Sequence, residues 1–180
     1  KVVQEYDARG RVSSKAYFDG TGERVELPEL GYAVERMAHD ERGNETEIAY
    51  FGKDLAPIEL MASGYHKSIT AYDGMGNVTE IRYFDTEGNS LVGDGGYSLY
   101  QAKYDDRGFL RERRYFGVKG EPILHNTLVA HRITQVCDDL GNVLEERYYD
   151  TKDKPSLGSN GLHRLTQKFD AMGNELEERY

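Results

Sequence analysis

Tyr72-Asp73-Gly74-Met75-Gly76-Asn77-Val78-Thr79-Glu80-Ile81-Arg82-Tyr83-Phe84-Asp85 carries in one stretch the pattern that organises the whole chain. Asp73 and Gly76 form an Asp-x-x-Gly tag, and Tyr83 stands ten residues after the aspartate. The tag recurs as Asp7/Gly10, Asp40/Gly43, Asp105/Gly108, Asp138/Gly141 and Asp170/Gly173. Tyr17, Tyr50, Tyr115, Tyr148 and Tyr180 follow at the same distance. Successive aspartates are 33, 33, 32, 33 and 32 residues apart. A fixed period of this size marks a repeat array, in which each repeat buries its apolar face by stacking on its neighbours.

The tag is a turn. Aspartate at the first position accepts hydrogen bonds from backbone N–H groups ahead of it. Glycine at the fourth takes the left-handed conformation that a type I turn with a G1 bulge requires. Short apolar and β-branched stretches flank it: His66 to Tyr72 reads as strand A and Asn77 to Phe84 as strand B. A second, looser turn follows at Asp85-Thr86-Glu87-Gly88, with counterparts beginning at Asp19, Gly52, Gly117 and Asp150. A short third strand C is expected next, often opened by proline (Pro57, Pro122, Pro155), which suits an edge because it donates no ladder hydrogen bond. A linker then leads to a Gly-Tyr pair at Gly31-Tyr32, Gly64-Tyr65 and Gly96-Tyr97, replaced by Val129-Ala130 and Gly161-Leu162 in the last two copies. Leu27 to Met37 and Leu55 to Ala62 have some helical composition, but the Gly-Tyr pair interrupts both windows. The expected fold is all-β: tandem antiparallel β-hairpin repeats of about 33 residues, forming an elongated twisted ribbon or open solenoid. Residues 1–180 form a single array of about five and a half repeats, read as a segment of a longer protein because it opens in mid-strand without Met.

Alternation along strand B assigns its faces. The tyrosine ten after the tag shares one face with Ile48, Ile81, Leu144 and Leu176. The next aromatic (Phe18, Phe51, Phe84, Phe116, Tyr149) falls on the other, with Glu47, Glu80, Glu112, Glu145 and Glu177 and, two residues on, Arg82, Arg114, Arg147 and Arg179. Stacked in register, these become a Glu/Arg ladder, either a solvated surface worth about 0.2–1 kcal/mol per exposed pair or a recognition stripe. Tyrosines at the repeat openings either pack over the next hairpin, the reading favoured here, or serve as contacts, being amphipathic and common at interfaces. The candidate interaction surface is therefore Tyr32, Tyr65, Tyr97, Glu80, Arg82, Glu112, Arg114, Glu145 and Arg147.

Composition narrows the function classes. Net charge is −9, which argues against nucleic acid or an anionic membrane as the main partner. No apolar run approaches the ~18 residues of a membrane span, so membrane insertion is not expected. Hydrophobic content is 38%, and 14 Tyr and 6 Phe supply the anchors of a thin, well-solvated sheet. Cys137 is the only cysteine, which fits a reducing compartment such as the cytoplasm and a packing role before the tag, where Tyr6, His39, Tyr72, Tyr104 and Phe169 stand elsewhere.

The tag with its flanks, Tyr72-Asp73-Gly74-Met75-Gly76-Asn77, resembles the signature of bacterial YD repeats of Rhs-type proteins. That resemblance implies long β-hairpin ribbons that can wind into shells, with an association with carbohydrate binding or toxin encapsulation. The present period is about 33 residues where YD repeats are nearer ~20, and the Tyr-Phe-Asp and Gly-Tyr landmarks are additional. The chain is also similar to longer bacterial tandem repeats of the Tyr-Asp-x-x-Gly-Asn type that are attached to diverse proteins.

Residue chemistry points away from catalysis. His66, His131 and His163 share the position seven before the tag, but Ala33 and Ser98 interrupt the row, and structural histidines are expected rather than ligands. One tag offers too few oxygens for calcium. Gly93-Asp94-Gly95-Gly96 and Gly117-Val118-Lys119-Gly120 lack the Lys-Ser/Thr of a phosphate loop, and no nucleophile elbow or zinc-protease helix motif is present. No enzyme activity, cofactor or metal is expected. The expected function is a non-catalytic repeat scaffold that binds a protein partner within a larger bacterial protein. The alternative is a carbohydrate-binding array on a cell-surface or secreted protein. Exposed rings at regular spacing would favour glycan; buried rings beside a broad charged face would favour the scaffold.

Overall fold

The computed structural model describes residues 1–180 apart from Ala62 and Asp94. Asp94, within the Gly-rich linker, and Ala62, at the end of the second helical-composition window, therefore lie outside the described residues. Twelve strands follow one another: β1 Val2–Tyr6, β2 Val12–Tyr17, β3 Val34–His39, β4 Glu45–Phe51, β5 Lys67–Tyr72, β6 Val78–Phe84, β7 Leu99–Tyr104, β8 Leu110–Phe116, β9 Arg132–Cys137, β10 Val143–Tyr149, β11 Arg164–Phe169 and β12 Glu175–Arg179. They are hydrogen-bonded in chain order, with β1 and β12 as the outer strands, and no helix occurs among the described residues. Odd strands are the predicted A strands and even strands the B strands. By density of contacts the chain divides into Lys1–Tyr72 with Ile81–Asp94, and Asp73–Glu80 with Gly95–Tyr180.

All six tags close as the sequence demands. In the first, Asp7 N–H donates to Arg11 O at 2.8 Å and Gly10 N–H to Asp7 O at 3.0 Å. The tag glycines have φ between 79° and 96°, a region that costs an L-residue about 1–2 kcal/mol. The hairpin register shifts beside the turn, as between Glu5 and Tyr6 and between Lys103 and Tyr104, which is the bulge that this turn creates. The aspartate Oδ1 accepts the N–H groups two and four residues on, as Asp73 does from Met75 at 2.8 Å and Asn77 at 2.9 Å. Its Oδ2 then takes the side chain of the residue four on: Asn44, Asn77, Asn142, Asn174, or Arg11 in the first copy. Phe109 offers no such donor, and Arg111 reaches Asp105 Oδ2 instead at 2.7 Å.

The second turn repeats this chemistry where it has an aspartate, at Asp19, Asp85 and Asp150. Where glycine replaces it, a carboxylate arrives from elsewhere. A Cβ built on Gly117 would lie 2.3 Å from Glu121 Oε1, and Glu121 Oε2 accepts Lys119 N–H at 2.8 Å. At Gly52 the nearest atoms are Glu26 Oε1 and Asp54 Oδ1, and Glu26 accepts Lys53 N–H.

The predicted strand C is a correction. Each copy makes only one antiparallel bridge, Phe18↔Arg24, Phe51↔Pro57, Phe84↔Ser90, Phe116↔Pro122 or Tyr149↔Pro155. The reason is competition for one edge. Tyr17 O accepts Val25 N–H from this segment while Tyr17 N–H donates to Ala33 O, where the next A strand begins. The next strand takes the rest of that edge, so the third segment cannot extend.

The linker ends in a closed turn that the sequence did not announce. Leu27 N–H donates to Tyr32 O and Gly31 N–H to Leu27 O; Leu60 with Gly64 and Tyr65, and His125 with Val129 and Ala130, do the same. The turn needs positive φ at the residue before the tyrosine position: 75° at Gly31 and 71° at Gly64, but 54° at Val129. A β-branched residue is strained there. Val129 is 42% exposed and adds little packing, so Val129→Gly is expected to raise the unfolding free energy by about 1 kcal/mol. Leu55, at φ 67° in the second turn, is expected to behave likewise. Denaturant midpoints of the two glycine variants check this; a fall in either midpoint would contradict it.

Candidate interaction surface

The tyrosine face forms the core. In the first compact unit Tyr32, Tyr50 and Leu60 are buried, with Tyr17, Ile48, Ile58 and Tyr65 packed against them. Five rings run in sequence: Tyr17–Tyr32 at 5.9 Å, Tyr32–Tyr50 at 5.0 Å, Tyr50–Tyr65 at 6.2 Å and Tyr65–Tyr83 at 4.7 Å between centroids. Each tyrosine that opens a repeat thus fills the gap between two strand-B tyrosines, and such pairs add about 0.5–1.5 kcal/mol beyond their buried area. Tyr32 donates its hydroxyl to Glu35 Oε2 at 2.9 Å, and Lys15 holds the other carboxylate oxygen at 2.8 Å. Burial, reinforced by Glu35, pushes the Tyr32 phenol well above its ordinary pKa. Burial does the same to Tyr50.

In the second unit Tyr97 packs on Tyr115 at 5.2 Å, and Tyr100 and His125 complete a ring cluster around Tyr115. In the copy where Ala130 replaces tyrosine, the ring column gives way to an aliphatic one: Ala130, Ile133 and Tyr148 are buried together, with Leu128 against them. Of the three repeat-opening tyrosines named as contacts, Tyr32 is therefore buried at 8% exposure, while Tyr65 and Tyr97 are half-buried in ring contacts.

The opposite face carries the charges. Arg114 Nε lies 3.0 Å from Glu112 Oε1, and Arg132 Nη1 reaches Glu112 Oε2 at 3.5 Å. Arg147 and Arg164 share Glu145 in the same way, at 2.6 and 2.5 Å. Register explains the sharing: Arg114 stands opposite Arg132 and Arg147 opposite Arg164, and like charges directly across a ladder need a carboxylate between them. Burial works against ionisation of Glu112 and Glu145, but the guanidinium partners, with Lys103 for Glu112, prevail and lower both carboxyls. Glu80 accepts a hydrogen bond from Gln101 at 2.9 Å. Arg82 and Arg147 are exposed; Glu80, Glu112, Arg114 and Glu145 are half-buried. Arg132 also stacks on Tyr149 with its guanidinium carbon 3.7 Å from the ring centroid, an arrangement that alternation alone does not reveal. The hollow between Gln101, Lys103, Glu112 and Arg114 holds about 420 Å³ and is open to solvent.

Two of the three repeat histidines are packed. His131 is 2% exposed, with Nδ1 2.7 Å from Tyr115 O and its ring edge-on to Phe116 at 5.1 Å. His66 repeats this against Ile58 O and Phe51. His163 is exposed. Cys137 is half-buried, and burial pushes its thiol up. The tyrosines at its repeat position, Tyr72 and Tyr104, donate their hydroxyls to the backbone of the preceding repeat, at Glu45 O and Val78 O. At the tags, Asp7 is held down to about 2 by the backbone N–H and guanidinium of Arg11.

No protein-family profile matches this chain, and no curated protein matches it. Solved structures do. The crystal structure of TcdB2-TccC3-TEV is 15% identical with a TM-score of 0.41, and that of TcdB2-TccC3 without its hypervariable C-terminal region is 14% identical at 0.43. The Photorhabdus luminescens Tc holotoxin pore is 14% identical at 0.40. Each likeness covers 98% of this chain but 9% of the other, so the chain spans under a tenth of the length of those it matches.

Proposed function

We propose that the chain is a non-catalytic repeat scaffold whose charged face, including Arg82, Glu112, Arg114, Glu145 and Arg147, receives a protein partner. The observation that carries this reading is the division of labour between the two faces. Rings at the repeat openings are spent on one another along the tyrosine column, so they do not stand free at regular spacing for sugars. Among the described residues the other face repeats a pre-paired Glu/Arg geometry beside a hollow that is open to solvent. Paired arginines held by neighbouring carboxylates are pre-ordered, which lowers the entropy cost of docking. A photo-crosslinker placed at Arg147 in the protein within its native cell tests the reading. A discrete protein adduct is expected, and no saturable signal on a glycan array. Saturable glycan binding, or the absence of any protein adduct, would overturn it.

A further inference from the structure

We infer that the hollow beside Glu112 is a carboxylate-binding site, and that the partner of the charged face presents an acidic segment to it, with one carboxylate between Lys103 and Arg114. The inference rests on the reading of that face as a protein-binding surface and adds the chemistry of what binds. The repeat itself singles out this place. Three positions surround the glutamate seven after each tag: two before the same tag, nine after it, and six before the next. Around Glu47 they hold Ala38, Ala49 and Lys67, and around Glu145 they hold Val136, Arg147 and Arg164. Around Glu112 all three are basic, with Lys103 Nζ at 3.1 Å, Arg114 Nε at 3.0 Å and Arg132 Nη1 at 3.5 Å from its carboxylate.

One carboxylate does not neutralise three cations. Asp153 supplies a second: Arg132 Nε donates to it at 2.5 Å, while Arg114 Nη1 stands 3.9 Å away, beyond hydrogen-bond reach. On β6, Glu80 and Arg82 offset one another in charge. Lys103, Arg114 and Arg132 against Glu112 and Asp153 leave one positive charge, in a chain whose net charge is −9. The spare donors face one space. Arg114 spends Nε and Nη2 on Glu112, which leaves Nη1 for a further acceptor. The Lys103 side chain is 75% exposed and has three protons to donate. Both residues line the same hollow, together with Gln101 and Phe116. The Phe116 ring offers apolar surface to the methylenes of an aspartate or glutamate. Glu112 already orders the Arg114 fork, so less freedom is lost when a carboxylate docks on it. One carboxylate balances the site. A nucleic-acid backbone would bring a dense row of phosphates against a chain of this net charge.

Fluorescence anisotropy of a labelled oligo-glutamate peptide, beside an oligo-glutamine peptide of the same length, tests the inference. Saturable binding of oligo-glutamate alone is expected, weakening as salt is added. Lys103→Glu is expected to weaken it about tenfold or more, with an unchanged melting temperature because the side chain is exposed. Arg114→Lys keeps the charge but loses the fork, and is expected to weaken binding about threefold or more. Lys119→Glu makes the same charge change on the exposed second turn and is expected to stay within about twofold of the parent. Oligo-glutamate that fails to bind, or that binds Lys103→Glu as it binds the parent, would overturn the inference. A protein adduct at Arg147 would in that case leave the broader scaffold reading standing. A single-stranded DNA oligonucleotide that binds more tightly than oligo-glutamate would overturn it in favour of a phosphate backbone.

Discussion

Tyr115→Ala is expected to lower the unfolding free energy by about 3–5 kcal/mol, the usual cost of deleting a buried aromatic ring. Tyr115 is 3% exposed and stands at the centre of a ring cluster, 5.2 Å from Tyr97, 5.7 Å from Tyr100 and 4.6 Å from His125. Removing it opens a cavity that three rigid rings cannot close by small movements. Tyr115→Phe keeps the ring and its three ring contacts, so it is expected to cost far less than the alanine variant. Urea denaturation followed by circular dichroism separates the two, and a loss below about 1 kcal/mol for the alanine variant would remove the ring cluster from the core. Because arrays can melt in parts, the two variants are compared on the same transition.

His131→Ala carries the second large effect, a loss of about 2–4 kcal/mol. The ring is 2% exposed, bonds Tyr115 O through Nδ1 and meets Phe116 edge-on. His163 occupies the same repeat position but is exposed, so His163→Ala is expected to change stability by no more than about 0.5 kcal/mol. A packing role predicts this contrast, with no change on adding a chelator. Equal losses in the two variants, or a midpoint for the parent that falls with chelator, would argue for a shared ligand role.

Much of this architecture was legible before any coordinates. The tags announced their own geometry because their interactions span only four residues: Asp73 finds Met75, Gly76 and Asn77 along the chain whatever packs on it. Alternation placed Tyr115 and Arg114 on opposite faces because strand geometry leaves no other choice. Contacts between repeats were harder to read. Strand C was over-extended because nothing local shows that the next A strand takes the same edge. The carboxylate of Glu121 filling the place of a missing turn aspartate was visible only as an acid four residues after Gly117, one among 32 acids in the chain. Of the candidate surface, the Glu/Arg pairs could be placed because a two-residue spacing fixes their face. Packing of Tyr32 was the favoured of two readings, but its ring partners could not be named, since Tyr17 and Tyr50 arrive from either side.

The shared hairpin register bears on how such a gene changes length. The hairpins β1–β2, β3–β4, β7–β8, β9–β10 and β11–β12 pair the residue six before the tag with the one eleven after, or continue that alignment, so the one-residue difference between 32- and 33-residue spacings is absorbed in the turns and linkers outside the ladders. Unequal recombination between any two copies then removes or inserts one whole cassette without turning a single side chain to the wrong side. Slippage by one codon inside a strand has the opposite result, because it exchanges tyrosines for arginines along everything that follows in that strand.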